Sequence, residues 1–313
     1  MEKIRGKAIE FLNEYYSLMK EDILNDKSSV SNFIKENKLT DYYFQYYLSL
    51  STSKGMRARF QRFYYCCRRI MLYQVVKDLQ LKTRKPLRVL DIGCGFGGDS
   101  FLFRHLGCEV TGIDLMPDKI GIAKHRIEYW NTLQNSNTPP PTFLVADASD
   151  FIGDNQRYDI IFCAEALHHC EPPENTLLTM RSLISSNGKV IICEANGGSF
   201  VAQYLCKRAR TKSRQPLRSL HLSPSTDKYI LFGNENIRSL SKWNLICQDC
   251  GFTIDNAILC GNLFVGGAIN NLRTAHVLDS IFARMYPLNK FSIGLTFCII
   301  PKNLQGEKSL MHY

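Results

Sequence analysis

The chemistry in this chain gathers where short apolar runs end. Residues 88–98 read RVLDIGCGFGG, an apolar run closed by Asp91 and followed by glycines at 93, 95, 97 and 98. A second apolar run over 109–113 closes on Asp114. A strand that breaks into a glycine turn and then a helix lets backbone N–H groups approach a ligand closely. An acid at the end of the next strand can accept both hydroxyls of a ribose. Together these residues point to a nucleoside-type cofactor. Further along, Glu165, His168, His169, Glu194 and Asn196 follow two more apolar runs. Imidazole titrates near neutrality, so His168 or His169 could take a proton from a hydroxyl, with Glu165 beside them. Each histidine could equally pack or hydrogen-bond at its turn. No metal is expected, because His168, His169 and Cys170 are adjacent and do not by themselves supply a tetrahedral ligand set.

The elements that must position these groups alternate in type from residue 85 onward. Strands are predicted over 88–92, 109–113, 142–145, 158–164 and 189–194, with helices over 98–107, 116–133 and 175–184 between them. The run 158–164 is continuously apolar, as a parallel strand covered on both faces should be. Ser185-Ser-Asn-Gly188 reads as a helix-terminating turn. Residues 195–236 are basic, Ser-rich and irregular in pattern. A helix is predicted over 239–250, ended by Gly251. Late strands over 252–259 and 291–300 suit an antiparallel pair at a sheet edge. Before residue 85 the pattern is helical. Over 56–76, Phe60, Phe63, Tyr64, Cys67, Ile70, Met71 and Val75 fall on one face, with arginines on the other. Residues 1–84 are therefore expected to form a helical cap, 85–303 an α/β domain with a lid-like insertion at 195–236, and 304–313 a tail.

Bulk properties narrow the class. The 313 residues are 45% hydrophobic and 22% charged, so the chain can bury a large core. No apolar run approaches the roughly 20 residues of a membrane helix, and the charged start of the chain is unlike a signal peptide, so a cytoplasmic location is expected. Cys94, Cys163, Cys193 and Cys298 lie in or beside apolar runs, and Cys247-Gln-Asp-Cys250 has no second pair, so the twelve cysteines read as reduced. The net charge of +10 is local. Residues 42–77 and 199–226 contain no acid, and basic residues cluster over 54–77 and 207–218. Such segments can face an anionic small molecule, nucleic acid or solvent.

Five β-α units followed by two late strands resemble the class I S-adenosylmethionine-dependent methyltransferases. Asp91-Ile-Gly-Cys-Gly-Phe-Gly97 is similar to that family's first motif. Gly112-Ile-Asp-Leu115, Ala146-Asp-Ala148 and Tyr158-Asp-Ile-Ile-Phe162 resemble the motifs of the second, third and fourth strands. Ala166-Leu-His-His169 resembles the small-molecule branch that includes the ubiquinone-biosynthesis enzymes. The resemblance covers about residues 85–196. It implies a Rossmann-like seven-stranded sheet and S-adenosylmethionine as cofactor. It further implies that Gly93, Cys94, Gly95 and Gly97 touch its methionine and ribose parts, with Ala164 bordering the same site. Asp91 would favour its ammonium group, Asp114 would accept the ribose hydroxyls, and Leu115 and Met116 would lie against the adenine. Asp147 would take the adenine amino group and the Ala148 N–H the ring, although Asp147 is also placed to cap a turn.

The acceptor is then expected at the carboxyl ends of the fourth and fifth strands, near Glu194. It would be a small molecule, aromatic or anionic. Tyr43 and Tyr47, with Tyr42 and Tyr46, could form an aromatic wall. Arg57 and Arg59, with Arg62, could bind a carboxylate or phosphate. O-methylation is the favoured reaction. Three rivals remain open. Gly93, Gly95, Gly98 and Asp114 also satisfy the NAD fingerprint, but Asp91 and Asp147 have no part in it. The basic segments would suit an RNA or protein methyltransferase. Nucleic acid is disfavoured, because Ala164-Glu-Ala-Leu stands where the amino-methylating nucleic-acid enzymes often carry Pro-Pro. A non-catalytic binding scaffold is the third, and the intact glycine turn argues against it.

Overall fold

The structure is a computed structural model that describes residues 2–25, 27–37, 54–83, 85–133, 138–153, 157–223 and 228–302. In chain order the main elements are α1 (Glu2–Asn25), α2 (Lys27–Glu36), α3 (Gly55–Lys82), β1 (Arg88–Ile92), α4 (Gly98–His105), β2 (Glu109–Asp114) and α5 (Pro117–Leu133). There follow β3 (Thr142–Val145), β4 (Tyr158–Ala164), β5 (Cys170–Glu171), α6 (Pro173–Leu183), β6 (Ile184–Ala195) and α7 (Phe200–Ser213). The chain continues through β7 (Arg218–Leu222), β8 (Tyr229–Gly233), α8 (Leu240–Asp249), β9 (Phe252–Asn262), α9 (Leu272–Phe282) and β10 (Ser292–Pro301).

Side chains that alternate in direction along each strand divide the core into two layers. Val89, Ile160, Phe162, Ile191 and Cys193 point to one face, against Leu12 of α1, Ile70 and Met71 of α3, Phe101 of α4 and Trp130 of α5. Leu90, Ile161, Cys163, Val190 and Ile192 point to the other, against Leu177 and Met180 of α6 and Trp243 and Cys247 of α8. The sheet order is β3-β2-β1-β4-β6-β10-β9. The first five strands in that order run parallel, and β10 is antiparallel to both its neighbours. This is the Rossmann-like seven-stranded sheet expected from the sequence. Reversal of strand order beside β1 leaves a crevice at the carboxyl ends of β1 and β4, where such sheets bind ligands.

Several local expectations need correction. β6 starts at Ile184, so the Ser185–Gly188 stretch extends a strand and does not form a turn. β9 and β10 pair as expected, but α9 intervenes and β10 lies inside the sheet, leaving β9 at the edge. Residues 195–236 are not irregular throughout. They contain α7, capped by the Ser199 hydroxyl accepting from the Ala202 N–H, and the antiparallel pair β7–β8, which joins β5 in a second, three-stranded sheet. Arginines of α3 do not all face outward. Arg68 is buried, and Arg69 makes a two-pronged bond to Asp99 of α4. No described helix is long and apolar enough to cross a membrane.

Candidate functional site

The glycine turn between β1 and α4 forms one wall of the crevice. Gly93 has φ +69°, and a Cβ there would sit 2.3 Å from the Cβ of Ala166, in the turn after β4. The two turns therefore touch, and only glycine permits it. Gly95 has φ +54° and open space where a Cβ would be, so its backbone is accessible. Gly97 occupies the N-cap of α4, and Cys94 is buried between them.

Asp114 closes β2, opposite this turn. Its Oδ2 accepts the Gly95 N–H at 3.0 Å and its Oδ1 the Met116 N–H at 2.9 Å. Lys119 Nζ is 3.6 Å from Oδ2. A carboxylate has about four lone-pair sites, so the pinned Asp114 keeps acceptor capacity for two hydroxyls. Leu115 and Met116 are half-buried beside it. Asp91 lies beneath the turn, accepting from the Ser100 hydroxyl at 2.5 Å. Burial first, and then the Asp99 carboxylate, push Asp91 up to about 8, against the opposing Ser100 bond. Asp147 accepts from both the N–H and the hydroxyl of Ser149, at 2.8 and 2.9 Å. It thus forms the turn that the capping alternative described, with Ala148 half-buried next to it. A second oxygen of Asp147 makes neither of these bonds.

Across the crevice, β4 ends at Ala164, and Glu165 follows with φ +51°, a conformation few side chains adopt. Its carboxylate pairs with Arg68 of α3. A short 3-10 turn over Leu167–His169 then presents two imidazoles in different surroundings. His168 is 2% exposed. Its Nδ1 donates to Glu194 Oε2 at 2.5 Å, while Glu194 Oε1 accepts the Leu167 N–H at 2.8 Å. Nε2 of His168 faces Glu235 at 3.9 Å. Burial alone would lower His168. The Glu194 charge and hydrogen bond outweigh it, aided by Glu165 and Glu235, and raise the imidazole to about 9. Burial would raise Glu194, but His168 and then Arg68 hold its carboxyl below the usual range.

His169 differs. Its Nδ1 donates to the Gly233 carbonyl at 2.6 Å, and its ring stacks on Phe232 at 4.6 Å. Burial and the neighbouring His168 charge push it down to about 4. It anchors β8. Two sets of three ligand-type side chains share His168: one with His169 and Glu235, the other with Glu165 and Glu194. Within each set the ligand-type atoms lie within 4.8 Å of one another.

Of the other sequence candidates, Arg59 donates its Nε to the Gly267 carbonyl at 3.0 Å, and Arg57 is exposed on the first turn of α3. Neither is brought to the histidines by any contact the structure records. Tyr42, Tyr43, Tyr46 and Tyr47 fall outside the described residues. Asn196 is buried and braces the end of β6, donating to the Ser292 carbonyl and accepting from the Gly198 N–H. All twelve cysteines are unpaired, and burial raises Cys247 to about 12 and Cys250 above its ordinary value, so the CxxC is not thiolate chemistry.

Sequence reasoning missed Arg68, Glu171 and Glu235. Glu171 of β5 has a buried side chain that accepts from Asn236, Arg218 and Arg238 and ties β7 and the segment after β8 to β5. Glu235, with φ +53°, lies between His168 and a groove of about 360 Å³ lined by Phe200, Tyr204, Lys207 and Arg210.

A family model described as "Methyltransferase domain" matches residues 58–256. The chain therefore belongs to the methyltransferase-domain family, the class I S-adenosylmethionine-dependent methyltransferases. Among curated relatives, the ubiquinone biosynthesis O-methyltransferase of Coxiella burnetii is 33% identical over 114 residues, 36% of this chain and 46% of the relative. The enzyme of the same name from Aeromonas salmonicida is 33% identical over 110 residues, 35% of this chain and 43% of the relative. The chain thus spans under half the length of these relatives. Among solved structures, magnesium protoporphyrin IX methyltransferase from Synechocystis PCC 6803 is similar at TM-score 0.46 and 18% identity, covering 77% of this chain and 87% of that one. A methyltransferase from Methanosarcina mazei is similar at TM-score 0.49 and 16% identity, covering 72% and 97%.

Proposed function

We propose that this protein transfers a methyl group from S-adenosylmethionine to a hydroxyl of a small-molecule acceptor, with His168 taking the hydroxyl proton. The observation that carries this reading is the His168–Glu194 clamp, set in the turn that touches the glycine wall through Ala166 and Gly93. The O-methyltransferase names of the curated relatives support the choice of oxygen.

The residues present fit the cofactor: the Gly95 backbone borders open space, and Asp114 is fixed with acceptor capacity left over. Asp114 would hold the ribose, Gly93, Cys94, Gly95 and Gly97 the adjoining parts, Leu115 and Met116 the adenine face, and Asp147 with Ala148 the adenine edge. Asp91 would favour the ammonium group, losing its proton as that cation arrives. When bound, the cofactor supplies a methyl group on a positively charged sulfur. The chain's own residues align the acceptor, shield it and move its proton.

His168 holds the proton question. Glu194 fixes Nδ1–H, so Nε2 is the nitrogen that can accept. An imidazole raised to about 9 is a stronger base than a free one, and it is close to a phenol, whose pKa is about 10. α7, Leu217 and residues 235–237 line a groove in which the acceptor would lie, and Glu235 stands between His168 and that groove.

Isothermal titration with S-adenosylhomocysteine, followed by methyl-label transfer into metabolite pools, tests the reading. Binding that Asp114→Ala abolishes, with label appearing in base-stable ethers, is the expected result. No binding by folded protein would remove the enzyme reading.

A further inference from the structure

We infer that Arg68 is the seat of a carboxylate on the methyl acceptor, which makes that acceptor a hydroxy acid; this deepens the acceptor reading above and depends on it.

Arg68 is 4% exposed, on the buried side of α3. Three surfaces of its guanidinium have different fates. Nη1 pairs with Glu165. The Arg68 Cζ lies over the Tyr64 ring, 5.0 Å from the ring centre. Nε and Nη2 are buried with no hydrogen-bond partner among the described residues. Those two nitrogens form one edge of the guanidinium, the fork that receives both oxygens of a carboxylate in parallel.

The next residue shows this fork in use. Arg69 donates Nε and Nη2 to the two oxygens of Asp99, at 2.5 and 2.6 Å. Arg68 presents the same edge and has no carboxylate on it. Buried donors are almost always satisfied, so a buried guanidinium edge left bare calls for an occupant.

The placement indicates which occupant. The Arg68 carbonyl accepts from Cys193 of β6 and Thr296 of β10, so the residue lies over the acceptor half of the sheet. Its partner Glu165 puts a carboxylate oxygen within 4.8 Å of ligand-type atoms of His168 and Glu194. One side chain, Glu165, therefore links the Arg68 guanidinium, through Nη1, to His168. A molecule with a hydroxyl at His168 and a carboxylate at Arg68 would span the two. Glu165 is held in a left-handed backbone conformation and is 44% exposed at its side chain, so it can turn toward solvent as the new carboxylate arrives.

The test is isothermal titration of the full chain, preloaded with S-adenosylhomocysteine, with 4-hydroxybenzoate, 4-hydroxyphenylacetate and the neutral amide of each. At least one acid should bind roughly tenfold or more tightly than its amide. R68K keeps a positive charge without the fork, and it should shrink that ratio to about twofold while leaving S-adenosylhomocysteine affinity unchanged. Acids and amides binding alike, or no acid binding, would overturn the inference. So would R68K weakening S-adenosylhomocysteine as much as the acid, because the edge would then serve the cofactor's own carboxylate. If R68K fails to fold, the wild-type comparison decides alone. Methyl transfer to the neutral phenol, measured separately, reads the underlying function. Transfer to phenol as fast as to the acids would overturn the carboxylate seat and leave O-methylation standing.

Discussion

At the scale of residues, the two neighbouring histidines differ in what holds them: Glu194 clamps His168, the base proposed above, and the Gly233 carbonyl anchors His169. His168→Ala should lower kcat by about 10²- to 10⁴-fold, the usual worth of a positioned base, while S-adenosylhomocysteine affinity is retained. Initial-rate kinetics beside titration checks both halves. Only the neutral imidazole accepts a proton, so the rate should climb with pH toward about 9. Glu194→Gln should move that limb down toward the ordinary 6.5. The same shift governs stability. A histidine raised on folding contributes fully below its unfolded value near 6.5, and the contribution is lost as pH rises through about 9. The melting-temperature gap between wild type and His168→Asn should therefore narrow over that window. The positions of Asp91, Asp114 and the glycines were legible from sequence, because the apolar runs that mark β1 and β2 end at these residues. Arg68 was not. A helical-face argument sends arginine outward by polarity, and only the pairing with Glu165, 97 positions later, brings it in.

At the scale of elements, the crevice depends on two turns meeting. A Cβ on Gly93 would collide with Ala166 at 2.3 Å, on a backbone at φ +69°. Gly93→Ala should therefore destabilise the fold by about 1–3 kcal/mol, the range for overpacking a fitted site. It should also displace the His168 turn. Denaturant unfolding and cofactor titration would read the two effects separately. The parallel strands were visible as continuous apolar runs. The region over 195–236 was hidden, because a basic, Ser-rich stretch carries no apolar period of its own. Its order comes from outside: Glu171 holds Arg218, Asn236 and Arg238, and His169 holds Gly233. The start of β6 was missed for a related reason. Ser-Ser-Asn-Gly has turn chemistry, but pairing of Ile184 with Tyr158 extends the strand through it.

At the scale of the whole molecule, the N-terminal helices are joined to the α/β core by packing and hydrogen bonds. Tyr15 of α1 donates to the Gly98 carbonyl at 2.7 Å and stacks on Trp130 at 5.5 Å. Trp130 in turn stacks on Phe101 at 5.0 Å. Fully buried aromatic residues of this kind cost about 3–5 kcal/mol when truncated, so Trp130→Ala should lower stability by that amount. The loss should reach α1 as well as α5, and hydrogen exchange would show both helices less protected. The succession of strands and helices and the late antiparallel pair could be foreseen from the order of runs. The shared core could not, because it rests on contacts such as Tyr15 with Gly98 and with Trp130, far apart in the sequence.

The bond from His169 to Gly233 has a consequence for timing. The imidazole that tethers β8 is the immediate chain neighbour of the imidazole that Glu194 aims. If the second sheet lifts, the His169 ring must either follow it or give up both the carbonyl and the Phe232 stack. Either event pulls on the peptide that joins the two histidines. The position of the second sheet and the aim of His168 thus share a mechanical linkage one residue long: with His168 as the proposed base, a site opened for exchange would also be disarmed.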